Sequence, residues 1–149
     1  MRIAIAADHA GFPLKQLAID IARSEGHETT DLGTNSPIQP VDYPDTARAA
    51  ADAIRGGGAD RAVIVCGSGA GVAIAASKFD GIRAAVAHDT YTAHQMVEHD
   101  DVNVLCLGGR VVGPALAEDI MRAFLKAEFS GEERHLRRLE LMRKIELDG

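Results

Sequence analysis

Short runs with strand character alternate with longer runs in which apolar residues recur at helical spacing, and this alternation limits the fold more than any other sequence feature. The run 62–66 is apolar throughout, as expected of a strand covered by helices on both faces. The predicted strands are residues 3–7, 27–31, 62–66, 82–87 and 103–107. This order predicts one domain over residues 1–149, with a three-layer, Rossmann-like α/β/α fold around a five-stranded parallel sheet.

Glycine and proline residues mark the ends of the intervening helices. Gly26 ends the first helix, and Pro44 suits the first turn of the second. The predicted helices cover residues 11–25 and 44–55, a segment from the 67–71 turn to about 79, then 89 or 90 to 99, 114–129, and a last run to about 147. Residues 32–42 form a loop long enough to be functional. The last helix has a narrow apolar stripe that predicts subunit contact: Leu136, Leu139, Met142 and Ile145.

Composition excludes several classes of protein. A net charge of -6 over 149 residues argues against a nucleic-acid partner, which usually binds a basic surface. The longest uncharged stretch, residues 62–77, is glycine-rich and shorter than a membrane span. The N-terminal apolar run is interrupted by Asp8 and is too short for a signal peptide. With two cysteines and no disulfide framework, the chain is predicted to be a cytoplasmic protein without membrane association.

The carboxyl ends of the predicted strands are where a ligand should bind in such a fold. The segment 66–71, Cys-Gly-Ser-Gly-Ala-Gly, joins the third strand to a helix there. Backbone amides in this turn can converge on an anion, and a thiolate or an oxyanion is stabilised by the same environment. An anion-binding turn beside an inert, buried Cys66 is the alternative. The turn lacks the last glycine of a dinucleotide fingerprint and the Lys of a P-loop.

Other polar residues are candidates for the same site. Asp8 can accept hydrogen bonds from sugar hydroxyls and His9 can donate to a phosphate, although Asp8 can equally cap a helix. Arg134 and Arg138 share one helix face and, with Arg110, suit phosphate binding; a solvated charged face is the alternative for the helix pair. His99 can move a proton or be an ordinary surface histidine. The six histidines form no metal-ligand spacing, and neither a metal nor a cofactor is expected.

Several segments, taken in order, resemble the ribose-5-phosphate isomerase B family, which includes the galactose-6-phosphate isomerase subunits. They are ADHAGF (7–12), DYP (42–44), CGSGAG (66–71), AASK (75–78), GIRA (81–84), NVL (103–105) and GRVVG (109–113). The similarity covers nearly the whole chain. It implies an aldose–ketose isomerase that interconverts ribose 5-phosphate and ribulose 5-phosphate through a cis-enediolate.

The resemblance also implies a role for each candidate residue. Cys66 would be the base, with Ser68 near the reacting oxygen, Asp8 on the sugar hydroxyls and His99 assisting ring opening. Tyr43 would line the pocket. The amides of Gly67, Gly69, Ala70 and Gly71 would bind the enediolate, and His9, Arg110, Arg134 and Arg138 the phosphate. The family forms dimers or tetramers with sites shared across the dimer interface, which implies that His99 and Arg110 reach a neighbour's pocket.

One departure from the family pattern concerns specificity. Asp100 stands where the family commonly has asparagine, and an ionised carboxylate accepts hydrogen bonds but cannot donate them. We expect this change to shift the preferred sugar without abolishing isomerisation. The alternatives are another substrate (a six-carbon aldose phosphate or a four-carbon ketose phosphate), a non-catalytic sugar-phosphate sensor, or a receiver domain. A receiver would need a phospho-accepting aspartate where this chain has Cys66.

Overall fold

Five parallel strands form one sheet in the computed structural model, which describes residues 1–149. The strands are β1 (Arg2–Ala7), β2 (Glu28–Asp31), β3 (Arg61–Cys66), β4 (Ala84–Val86) and β5 (Val104–Gly108), in the order β2-β1-β3-β5-β4. The three inner strands are buried almost throughout, whereas β2 at one edge is largely polar and exposed. The predicted fold class is confirmed.

Helices cover both faces of the sheet. They are α1 (Phe12–Ser24), α2 (Tyr43–Arg55), α3 (Ala70–Ala76), α4 (Thr90–Asp100), α5 (Pro114–Lys126) and α6 (Glu133–Asp148). One core packs α1, α4 and α5 against the sheet, and a second, alanine-rich core packs α2 and α3 against the other face. None of the helices combines the length and the apolar character that a membrane crossing needs.

Three predicted elements are shorter in the structure, and specific hydrogen bonds account for each of them. α3 ends at Ala76 rather than near 79, because the chain tightens there into hydrogen bonds between residues three apart. α5 ends at Lys126 because the guanidinium of Arg61 donates to the carbonyls of Phe124 and Ala127, at 2.8 Å each. β4 begins at Ala84 because the preceding N–H, of Arg83, donates to the side chain of Asn103 instead.

The reversal of strand order beside β1 creates the crevice that the fold offers to a ligand. From β1 the chain moves outward to β2 and then returns to β3 on the opposite side of β1. The backbone passes very close at this point, because a Cβ on Gly11 would lie 1.9 Å from the carbonyl oxygen of Val65. The segments that follow β1, β3 and β5 are thereby brought to one place.

Candidate active site

A cleft of about 480 Å³ lies at the carboxyl ends of β1, β3 and β5. Its walls come from the segment after β1, from the start of α2, from the turn after β3 and from the segment after β5. The lining residues are Asp8, His9, Ala10, Tyr43, Cys66, Gly67, Ser68, Gly71, Arg110 and Val111. Most of the predicted site residues therefore meet in one place within a single chain.

The thiol of Cys66 lies at the floor of this cleft and is 5% exposed. The backbone N–H of Gly69 donates to its Sγ, with 3.0 Å between nitrogen and sulfur. Gly69 can direct its N–H at the sulfur because it has φ +83°, a conformation that favours glycine. The position also leaves little room for a side chain, since a Cβ there would lie 3.1 Å from the backbone of Leu107. A hydrogen-bond donor aimed at sulfur favours the thiolate, which is the basic and nucleophilic form.

The second cysteine is in a different environment. Cys106 lies in the middle of β5 and is fully buried in the core with α2 and α3. Burial raises the pKa of the Cys106 thiol far above its usual range. Cys66 is therefore the only thiol that can meet a ligand in the cleft.

The turn after β3 forms the cleft wall next to the sulfur. Ser68 is exposed, and its Oγ accepts the N–H of Ala70 at 3.3 Å. Gly67 and Gly71 face the cleft, and the ring of Tyr43 packs so closely on Gly71 that a Cβ there would lie 2.9 Å from it. This fit explains a glycine in the first turn of α3, where alanine has the better helix propensity.

Asp8 and His9 are oriented by backbone groups. One carboxylate oxygen of buried Asp8 accepts the N–H of Gly11 at 2.9 Å, in the turn before α1 rather than as its cap. Nδ1 of His9 accepts the N–H of Val41 at 3.2 Å. Because Nδ1 is the acceptor, the neutral ring carries its proton on Nε2, which is the donor that a phosphate oxygen needs.

Lys15 supports this arrangement and was not among the predicted site residues. The residue is 5% exposed, and its ammonium donates to Asp31 at 2.9 Å, to the carbonyl of Thr34 at 2.7 Å and to Asn35 at 3.2 Å. It thereby ties α1 to the beginning of the loop whose far end carries Val41. A lysine within a helical run gives no sequence signal for such a role, since its partners lie 16 to 20 residues away.

Arg110 lines the cleft of its own chain. Its guanidinium Nη1 would lie 3.7 Å from a methyl group placed on Gly67. The expectation that Arg110 reaches a neighbour's pocket is therefore wrong for this structure. The reason is the tight turn after β5, where the N–H of Arg110 donates to the carbonyl of Gly67 at 3.1 Å.

Six predicted site residues do not line the cleft: Gly69 and Ala70 belong to the turn beside it, and the other four lie on α4 and α6. His99 and Asp100 are at the end of α4, and Arg134 and Arg138 lie on α6. The ring of His99 stacks on that of His135, with 4.2 Å between centroids, and Arg134 pairs with Glu132 at 2.9 Å. His135, for which no role was predicted, is the only buried residue of α6.

The site offers anion-binding groups rather than a cage of metal ligands. Nowhere in the structure do three or more His, Cys, Asp or Glu side chains come together in an arrangement that could hold a metal ion. The cleft instead combines one thiol, one buried carboxylate, one imidazole and one guanidinium around a glycine-rich turn. Such a set can bind an anionic, hydroxylated molecule and move a proton on it.

Comparison with known proteins agrees with this geometry. Residues 3–142 match the family model described as Ribose/Galactose Isomerase. The ribose-5-phosphate isomerase B of Escherichia coli is 43% identical over 145 residues, covering 97% of this chain and 96% of that protein. The D-erythrulose-4-phosphate isomerase of Pectobacterium atrosepticum is 41% identical over 131 residues, covering 88% and 86%.

A solved structure shares the whole fold. The ribose-5-phosphate isomerase B of Clostridium thermocellum superposes with a TM-score of 0.95 at 44% identity, covering 99% of each chain. The chain therefore belongs to the ribose/galactose isomerase family and is a sugar-phosphate isomerase.

Proposed function

We propose that the chain interconverts ribose 5-phosphate and ribulose 5-phosphate, with Cys66 as the base that moves a proton between C2 and C1. The hydrogen bond from the Gly69 N–H to Sγ of Cys66 carries this proposal. It gives one of the two cysteines the surroundings of a thiolate, at the floor of the cleft. The other lies in the core and has no access to a ligand.

The proton transfer needs one base and a place for negative charge. The thiolate takes the proton from C2 of the open-chain aldose, and the electron pair moves through C1 to its oxygen, giving a cis-enediolate. The same sulfur returns the proton to C1, while the O2 proton moves to O1 and the carbonyl forms at C2. In this proposal, backbone amides of the 67–71 turn and the Ser68 hydroxyl, which lie beside Cys66 in the cleft wall, bind the oxygen on which charge develops.

The remaining cleft residues suit the rest of the substrate. His9, with its proton on Nε2, and Arg110 can bind the phosphate, and Asp8 has one carboxylate oxygen free of protein donors for the sugar hydroxyls. Tyr43 forms a flat side wall over Gly71. Binding the phosphate away from the reacting carbons supplies positioning energy for the proton transfer.

We propose that the active site is completed across a homodimer. His99, Asp100, Arg134 and Arg138 do not reach the cleft of their own chain. α6 supports a subunit contact because it buries only His135 and exposes Leu136, Leu141, Met142, Ile145 and Leu147. In a dimer these residues can complete the neighbour's cleft, with His99 assisting ring opening and the two arginines joining the phosphate clamp.

A four-carbon ketose phosphate is the second candidate substrate, because a relative at 41% identity carries that activity in its name. The family description also includes galactose phosphates. Asp100 is exposed at the end of α4, where its negative charge disfavours a phosphate placed close by. The choice among five-, four- and six-carbon substrates follows from how far the phosphate clamp lies from Cys66 in the assembled site.

The test measures isomerisation of each candidate sugar phosphate by the purified protein in the presence of EDTA. We expect the highest kcat/KM for ribose 5-phosphate and no loss of activity on chelation. A higher kcat/KM for a four- or six-carbon substrate would replace the proposed substrate, and loss of activity with EDTA would overturn the metal-independent mechanism.

The shared site has a separate test, which mixes two variants expected to be impaired on ribose 5-phosphate, Cys66→Ala and His99→Asn. After subunit exchange, half of the dimers are mixed and one of their two sites has both residues intact, so about a quarter of the parental activity should return. If mixing restores no activity and the protein has a monomeric mass in solution, the proposal that the site is shared between two subunits is wrong.

A further inference from the structure

The segment GIRA (81–84) matches the family pattern, yet none of the roles above uses it. Its arginine, Arg83, lies just before β4 and points to the end of α4. Nε of Arg83 donates to the carbonyl of Asp101 at 2.7 Å, and Nη2 pairs with the carboxylate of the same residue at 2.6 Å. The guanidinium of Arg83 therefore binds both the backbone carbonyl and the side chain of Asp101.

Asp101 directly follows α4 and ends the helix in a left-handed conformation. It has φ +47° and ψ +43°, and it is the only non-glycine residue with a positive φ. A left-handed conformation is unfavourable for a residue with a Cβ, although aspartate tolerates it better than most. The bonds from Arg83 stabilise this conformation and so fix the end of the helix, two residues after His99.

The opposite side of His99 is held by the segment that leads into α6. The N–H of Ser130 donates to the carbonyl of Glu98 at 2.9 Å, and its Oγ is 2.6 Å from Nδ1 of His135. The His135 ring, only 1% exposed, stacks on His99 with 28° between ring planes. Nε2 of His135 is buried without a hydrogen-bond partner.

Of the two stacked rings, His135 is the one whose surroundings disfavour a positive charge. Burial lowers the pKa of His135, and the neighbouring His99 and Arg134 lower it further, so His135 stays neutral near pH 7. Glu132 is the one acidic neighbour that opposes this shift. The neutral ring of His135 therefore places no positive charge against the ring of His99.

We propose that Arg83 and His135 are positioning residues that hold the His99 imidazole from two sides, in the orientation that ring opening of a cyclic sugar phosphate requires. Arg83 acts through the backbone of Asp101, and His135 through ring stacking. The inference rests on the proposed role of His99 in the neighbouring cleft. It deepens that function by assigning the two supports of the ring-opening group.

Substrates that never form a ring separate this role from general stability. Ribose 5-phosphate is mainly a furanose closed through O4, and it must be opened before Cys66 can act. Erythrulose 4-phosphate carries its phosphate on O4 and is open-chain, so it needs no ring opening. The readout is the ratio of kcat/KM for the two substrates, measured for the parent, Arg83→Lys, His135→Asn and His99→Asn.

We expect all three variants to lose activity selectively. The kcat/KM for ribose 5-phosphate should fall about tenfold or more, while that for the four-carbon ketose changes less than about twofold. Arg122→Lys and His27→Asn are matched controls, because they alter an ion pair and a histidine contact away from the cleft. Both should keep the parental ratio.

Two outcomes would contradict different parts of the proposal. A selective loss in His99→Asn with an unchanged ratio in Arg83→Lys and His135→Asn would overturn the positioning inference alone. An equal loss on both substrates in His99→Asn would overturn the ring-opening role itself, and the inference with it.

Where Arg83→Lys does not fold, Asp101→Asn tests the same contact from its other partner. If the parent does not use the four-carbon ketose, deuterium uptake at C1 of open-chain ribulose 5-phosphate replaces it.

Discussion

Gly71→Ala should leave the protein as stable as the parent but slow the reaction. An added Cβ would lie 2.9, 3.0 and 3.2 Å from three carbons of the Tyr43 ring, all closer than the 3.4–4 Å of ordinary contact. Tyr43 is 46% exposed, so its ring can turn toward solvent and relieve the clash. Alanine also improves helix propensity by up to about 1 kcal/mol over glycine, and the two effects should roughly cancel in the free energy of unfolding.

The activity should respond differently, because the displaced ring no longer forms the side wall of the cleft. A shift of about 1 Å in a positioning group can cost up to about a hundredfold in rate, and we expect kcat/KM to fall at least about tenfold. Thermal unfolding and steady-state kinetics measure the two effects. Gly113→Ala is the matched control, because nothing lies within 4 Å of its added Cβ and its φ is -82°.

A double-mutant cycle tests the stated cause. In a Tyr43→Ala background the clash is absent, so Gly71→Ala should have little further effect on kcat/KM. A full additional loss in that background would show that Gly71 acts through something other than the ring. A drop in stability of several kcal/mol in the single variant would equally refute the reasoning.

Three further predictions concern other parts of the chain. Gly11→Ala should cost about 3 kcal/mol or more in urea unfolding, since its Cβ would meet the rigid carbonyl of Val65 at 1.9 Å; a loss under about 1 kcal/mol would contradict this. The hydrogen bond from Arg2 lowers the pKa of Asp60 to about 2, so this exposed pair contributes a small stability at neutral pH that fades as the pH falls through that value. Asp60→Asn should therefore be slightly less stable than the parent at pH 7, and the difference should shrink as the pH falls toward 2, as urea titrations at pH 7 and at pH values down to about 2 would show. Asp100→Asn should raise the relative kcat/KM for ribose 5-phosphate across a panel of sugar phosphates, and an unchanged ranking would reject its role in specificity.

The sheet could be predicted from the sequence because each strand is indicated by residues that are neighbours along the chain. Short apolar runs such as 62–66 and 103–107, bounded by turn residues, are typical of buried strands, and glycines and prolines mark the ends of the helices between them. The order of β4 and β5 in the sheet was not predicted, since nothing local distinguishes an edge strand of three residues from an inner strand. The early end of α5 depends on Arg61, which is more than 60 residues away in sequence.

The same distinction applies to the site. Residues at the end of a strand or directly after it, such as Cys66 and Asp8, could be placed in one cleft by the rule for parallel sheets. Lys15, Arg83 and His135 could not, because their roles come from contacts with residues distant along the chain. The placement of Arg110 in its own cleft likewise follows from a turn geometry that the sequence pattern does not reveal.

The most direct test of the central claim compares the two cysteines. Cys66→Ala and Cys106→Ala remove the same thiol, one beside the Gly69 amide in the cleft and one buried within the sheet. With ribose 5-phosphate and EDTA present, we predict that Cys66→Ala loses at least about a hundredfold in kcat while Cys106→Ala stays within a few-fold of the parent. A Cys66→Ala protein that folds and retains kcat within a few-fold of the parent would contradict the account.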